Sequence, residues 1–260
     1  LPKTAWPPTL ADQMADGSLM SADSSTFTST RVSMLTGKTD QNAAPSSFHE
    51  IMPSADGKKN VGKVISDNYE VVEGSWPKNK NEVVLVLDEN NSLSLTAVYE
   101  LGLKSASEYH DMMNQLNSGD DVKTDTKKID YSDVIDRTLK LLPACDQYVK
   151  GDNGHWTYVG DDVDQINALI DSDKAIDLKI VGVVKPVEDA DATPLSSGVG
   201  YTRALTNELI DRAESSEIVT EQRSDKDHNV LNGMTFSPSD DATKVSDART
   251  YVASLGVTQK

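Results

Sequence analysis

A few short runs carry residue types that do chemistry elsewhere. Gly37-Lys38-Thr39 ends like a phosphate loop, in which backbone N–H groups and a lysine cradle phosphate oxygens. That loop needs a glycine five residues before Gly37, and Val32 stands there. His49-Glu50 opens like a zinc-protease helix. The second histidine of that motif falls four residues after the first, where this chain has Pro53. His110, His155 and His228 share no metal-ligand spacing and read as structural or solvated. The single cysteine, Cys145, has no base partner in sequence; it reads as a small packing residue, with a thiol nucleophile as the alternative. Asp120-Asp121, Asp161-Asp162-Asp164 and Asp171-Ser172-Asp173 lack the glycine and terminal Glu of a calcium loop. Among 42 acids, no pair is singled out for glycoside cleavage. No Gly-x-Ser-x-Gly elbow occurs.

With no catalytic constellation in view, the aromatics become the candidates for binding. Trp76, Trp156 and Tyr158 lie beside turn signals; they read first as local packing, with partner-binding anchors as the functional alternative. Composition narrows the partner. The 260-residue chain has a net charge of −17 and shows no Lys/Arg cluster of the kind that neutralises a phosphate backbone, so nucleic acid is not expected. One cysteine rules out an intrachain disulfide. No apolar run reaches the ~18 residues of a membrane span. The chain starts at Leu1 rather than Met, which fits an excised or processed piece whose membrane segments were removed.

Elements must position these side chains. Residues 1–57 are rich in Ser, Thr, Asp and Pro, with short elements expected. Tyr69 to Val72 reads as a strand, and Gly74 to Pro77 as a stiff corner. Glu82 to Leu87 is continuously apolar after its first residue, the pattern of a strand covered on both faces. Ser105-x-x-Glu108 is a capping box, and Tyr109, Met112, Met113 and Leu116 recur at helical spacing, which assigns the methionine pair to a core. Asp152-Asn153-Gly154 marks a hairpin within 137–159. Val163, Ile166 and Ile170 mark a short helix with Asp161 and Asp162 at its N-terminus. Ile176 to Val184 is a second strong strand, 186–200 reads as a linker, and helices are expected from Tyr201 and around 245–255. Interleaved strands, hairpins and helices point to an α+β fold with mixed or antiparallel sheets.

Ordered fragments add a resemblance. Glu73-Gly74-Ser75-Trp76-Pro77, Glu82-Val83-Val84-Leu85, Glu100-Leu101-Gly102-Leu103 and Leu178 to Pro186 occur in that order. Val199-Gly200-Tyr201-Thr202 with Leu205-Thr206, then Ser216 to Val219 and Asn229 to Gly233, follow. Over roughly residues 60–256 this resembles the extracytoplasmic domain of MacB/FtsX-type ABC transporter permeases, in a Gram-positive variant. The resemblance implies two lobes, with 58–195 as a β-rich distal lobe inserted into a membrane-proximal lobe formed by 1–57 and 196–260. It implies a non-enzymatic domain at the extracellular face of the bacterial plasma membrane, with no cofactor and no metal. The expected partners are a cytoplasmic ATPase subunit and a peptide, lipoprotein or surface-polymer ligand. The section from Ser105 to Ser172 is longer than the family pattern. A surface adhesion module binding host or wall polymers is the alternative. Val84 and Val183 are expected in one sheet, with Gly182 allowing close approach.

Overall fold

The computed structural model describes residues 9–13, 19–21, 48–93, 128–160 and 162–254, with isolated positions between 94 and 127. The capping box at Ser105, the helix expected after it, Gly37-Lys38-Thr39 and His110 lie outside the described residues. So do Asp120-Asp121 and Asp161.

Two apolar strands organise the chain. β5 (Glu82–Val86) and β9 (Ile176–Pro186) run parallel, with Leu85 opposite Val183 and Val86 opposite Val184. The expected neighbourhood of these two segments is therefore present. Parallel neighbours need a long crossover, and the chain between them supplies β6 (Thr138–Leu142), the hairpin β7 (Tyr148–Lys150) and β8 (Trp156–Tyr158), and a helix. β9 is the longest strand. β6 pairs its first half and β4 (Tyr69–Gly74) its second half, both antiparallel and both on the edge away from β5. On the other side of β5 come β10 (Gly198–Tyr201), antiparallel, and then β3 (Phe48–Glu50), parallel to β10. β1 (Thr9–Gln13) and β2 (Leu19–Ser21) extend the far edge beyond β6. Eight strands thus form one mixed sheet, and helices pack beside it, giving an α+β fold. The expected lobe boundaries at 57/58 and 195/196 fall within the strand set of this one sheet, because β3 and β10 pair into it next to β5.

Alternation along β5 divides its side chains between two cores. Val83, Leu85 and Leu87 pack with Leu139, Leu141, Leu178, Ile180 and Val183 on one face. Val84 and Val86 pack with Ile51, Ile65, Tyr69 and Val184 on the other. Side chains alternate with period two in a strand, so β9 should send only even positions to the first core. It does so through Leu178 and Ile180, then switches to Val183. A register shift explains the switch: Val83 faces Ile180, the next residue Val84 faces Gly182, and Val181 is the extra residue. Such a bulge moves every later side chain to the opposite face. Burial on both faces is why β5 reads as a continuous apolar run.

β10 corrects the linker expected over 186–200. Gly198, Gly200 and the serines before them carry little strand propensity, but Val199 is fully buried between β5 and β3. A Cβ at Gly200 would stand 3.1 Å from the Ile51 side chain and 3.2 Å from Val84. The missing side chain lets the second core close over the strand. The helix expected from Tyr201 begins two residues later, as α3 (Arg203–Ser215), after α1 (Lys63–Asn68) and α2 (Val163–Ile170). Leu205 of α3 is buried in the first core. Asp162 caps α2, its side chain accepting the Gln165 backbone N–H at 3.1 Å. A helix the sequence reading did not foresee, α4 (Glu217–Ser224), follows α3 with Ser216 at its N-cap, and α5 (Asp241–Ser254) ends the described chain.

Candidate functional site

The corner after β4 brings a tryptophan, three lysines and an open cleft together. Gly74 turns the chain with φ +73°, and the Ser75 N–H donates to Val181 O at 2.9 Å. A Cβ at Gly182 would meet Ser75 O at 2.2 Å, and one at Gly74 would meet Val181 O at 2.2 Å. The corner therefore lies directly on the bulged part of β9, and both contacts need glycine. Pro77 is buried, and Trp76 is half-buried against the second core. Glu82 closes the return into β5: its carboxylate accepts from the backbone N–H of Lys78 at 2.7 Å and of Asn79 at 3.2 Å, and from Asn79 Nδ2 at 2.6 Å. The Lys78 N–H, ahead of the other donors, lowers the Glu82 carboxyl below the ordinary glutamate range.

Opposite this corner runs the loop 53–62. Gly62 N–H donates to Met52 O at 2.7 Å, and Ser54 N–H to Lys59 O at 3.0 Å, which fastens the loop at its base and near its tip. Asn60 Nδ2 donates to Lys78 O at 2.8 Å and ties the loop to the corner. Between them lies a cleft of about 600 Å³, lined by Lys58, Lys59, Lys78, Trp76 and Pro77 with smaller neighbours. That volume is in the range of small-ligand sites. Among the described residues, no histidine, cysteine or carboxylate lines it.

The other two candidate anchors stand elsewhere. Trp156 is 8% exposed, and its Nε1–H donates to Glu221 Oε2 at 2.8 Å. Lys150 Nζ donates to both Glu221 oxygens at 2.9 and 2.8 Å and lies 5.9 Å from the Trp156 ring centroid. Trp156 N–H donates to Val230 O at 3.0 Å. This cluster fastens α4 and the segment after it to the β7–β8 hairpin. Lys150 first, and then the Trp156 N–H, holds the Glu221 carboxyl below the ordinary glutamate range. Tyr158 donates its hydroxyl to Gln147 Oε1 at 3.2 Å, and its ring tilts at 60° against Tyr148. Neither Trp156 nor Tyr158 lines the Trp76 cleft.

The nucleophile and metal candidates resolve as follows. Burial, then the neighbouring Asp146 carboxylate, pushes the Cys145 thiol up to about 11, so the thiolate needed for attack is scarce at neutral pH. Arg212 pairs with Asp146 at 2.8 Å on the same spot. His49 sits on β3 with a buried Nε2, and desolvation lowers its pKa, keeping the ring neutral. His228 pairs with Asp225 at 3.1 Å within a turn. Among the described residues no group of three or more His, Cys, Asp or Glu side chains could hold a metal ion. No described helix is long and apolar enough to cross a membrane.

No family model, no curated protein and no solved structure matches the chain. The site therefore rests on geometry. Sequence reasoning singled out Trp76 and its corner but missed Lys58, Lys59 and Asn60, which reach the corner only through the loop closure. The available signal was local: Lys58-Lys59 and Lys78-Asn79-Lys80 concentrate positive charge in an acidic chain.

Proposed function

We propose that this chain is a non-enzymatic binding domain of a MacB/FtsX-type ABC transporter permease, held at the extracellular face of a bacterial plasma membrane. It takes a peptide, lipoprotein or surface polymer as ligand and moves with ATP hydrolysis on a separate cytoplasmic subunit. One observation carries the reading. The segments that resemble the permease family are distant in sequence, yet three of them meet at one place: the Glu73–Pro77 corner lies on Gly182, and Leu85 pairs with Val183. A fourth, Val199 to Tyr201, pairs with the other edge of β5. A close-packed sheet between two cores is stiff and passes displacement rather than absorbing it. The open cleft at Trp76 gives such a sheet a place to meet a ligand.

The test uses the full-length gene product in its native membrane. The reading expects the domain to be cut by protease added to intact cells, and expects the protein to co-purify with an ATP-hydrolysing subunit whose turnover changes in the Trp76→Ala variant. The purified chain should hydrolyse neither nucleotide nor peptide. Robust turnover by the purified chain would overturn the reading. Salt-resistant adhesion to mucin or wall polymer with no co-purifying ATPase would replace it with the adhesion module.

A further inference from the structure

We propose that the cleft between loop 53–62 and the Trp76 corner binds a phosphate-bearing ligand. The ammonium groups of Lys58, Lys59 and Lys78 would surround the phosphate, and the Trp76 ring would meet the adjoining apolar or ring portion.

Charge is the first reason. In a chain with 42 acids against 25 Lys and Arg, the described residues line the cleft with three lysines and no carboxylate. The acids nearest these lysines are accounted for. Asp56 Oδ2 stands 3.9 Å from Lys58 Nζ, a long pair at an exposed site. Glu82 accepts from the backbone N–H of Lys78 and Asn79, which commits its carboxylate first to the turn, with the Lys78 charge a lesser influence on it. Asp67 pairs with Lys63, outside the cleft. Among the described residues no carboxylate forms an ion pair with Lys59 or Lys78.

The type of cation selects the anion. A carboxylate is matched best by the planar fork of arginine, and the cleft lining has none. Lysine ammonium groups are compact point charges that converge on phosphate oxygens without a fixed plane. Preorganisation is the third reason. Both walls are fastened before any ligand arrives, by Gly62 N–H to Met52 O at 2.7 Å, Ser75 N–H to Val181 O at 2.9 Å and Asn60 Nδ2 to Lys78 O at 2.8 Å. A site held open in this way loses little freedom on binding. Trp76 packs on the second core and borders the cleft, so its ring is a fixed platform. The cleft is complete within the described residues, so a phosphate binds there whether or not the chain belongs to a transporter.

The experiment is a titration of the whole 260-residue chain, followed by ¹H–¹⁵N NMR at constant ionic strength, with the Trp76 indole signal assigned by Trp76→Phe. Inorganic phosphate should shift that indole and the amides of residues 58–62 and 75–78 in a saturable way, while chloride does not. Phenyl phosphate should bind more tightly than inorganic phosphate, and benzoate more weakly than phenyl phosphate. The triple variant K58Q/K59Q/K78Q should bind about tenfold more weakly. Its three positions are exposed, so its remaining spectrum should match the parent's. The control K140Q/K185Q should bind like the parent. The proposal is overturned by an unshifted Trp76 indole, by equal shifts with chloride, by benzoate binding as tightly as phenyl phosphate, or by parental affinity in the triple variant. Equal affinity for inorganic and phenyl phosphate would remove the ring from the site.

Discussion

Trp76 and Trp156 begin alike and end differently. Each is a tryptophan beside a turn, and each has lysines close by in sequence or space. At Trp156 a carboxylate arrives from a distant helix: Glu221 takes the indole N–H and the Lys150 ammonium together. The result is a closed structural tie. At Trp76 the long-range visitors are backbone groups and lysines: Val181 O takes the Ser75 N–H, and Lys58 and Lys59 come in on a loop. The result is an open cleft lined by lysines. The lesson is that the local pattern of an aromatic at a turn does not decide between packing and binding. The charge of what arrives from elsewhere in the chain decides.

Breaking the support under the Trp76 side should have the largest effect. Gly182→Val places a side chain on Ser75 O, where a Cβ alone would already be 2.2 Å away. The corner must lift off β9, and we expect a loss above about 3 kcal/mol, read as a fall in the midpoint of urea unfolding. Next comes Leu85→Ala, in the first core. Truncating this buried side chain should cost about 2–5 kcal/mol, measured the same way.

Smaller changes separate the two tryptophans. Trp156→Phe leaves the Glu221 carboxylate without its indole donor and should loosen this tie, read as faster amide exchange in α4. Trp76→Phe should cost less than Trp156→Phe and leave α4 exchange unchanged, because Trp76 is only half-buried and packs on the second core. Acid should loosen both sides, because each holds a glutamate with a lowered pKa, Glu82 at the Trp76 corner and Glu221 at the Trp156 tie. Glu221 has a lowered pKa in the folded chain, so its contribution is present in full above the unfolded-state value and disappears as pH falls through the folded one. The protection of the α4 amides against exchange should therefore fall below about pH 4, the range where ordinary glutamates take up protons. The least disruptive probe is the thiol. Cys145 should react slowly with iodoacetamide at neutral pH and speed up only as the pH nears about 11.

Much of the frame was legible because it is written in side chains. β4, β5 and β9 announced themselves by β-branched runs, the β7–β8 hairpin by Asp152-Asn153-Gly154, and α2 by its apolar spacing over the Asp162 cap. What stayed hidden depends on shape and on distance. β10 is a strand because a glycine makes room for Ile51, a fact of tertiary fit that no propensity carries. The bulge at Val181 changes which face each later residue takes without changing the apolar pattern. α4 carries few apolar side chains and is held by Ser216 at its cap and by Glu221 on the hairpin. Of the candidate site, the corner was legible from Trp76-Pro77, and its lysines were not. Trp156 looked like a surface anchor because Glu221 is 65 residues away.

The seat of the Trp76 corner on the bulged part of β9 supports both the permease reading and the phosphate cleft. Interstrand NOEs in the ¹⁵N-labelled chain test it most directly. We predict contacts between Leu85 and Val183 and between Ser75 and Gly182, in the pattern of parallel β5–β9 pairing with the corner folded across it. Finding Ser75 near other partners, or β5 and β9 without mutual contacts, would contradict the account.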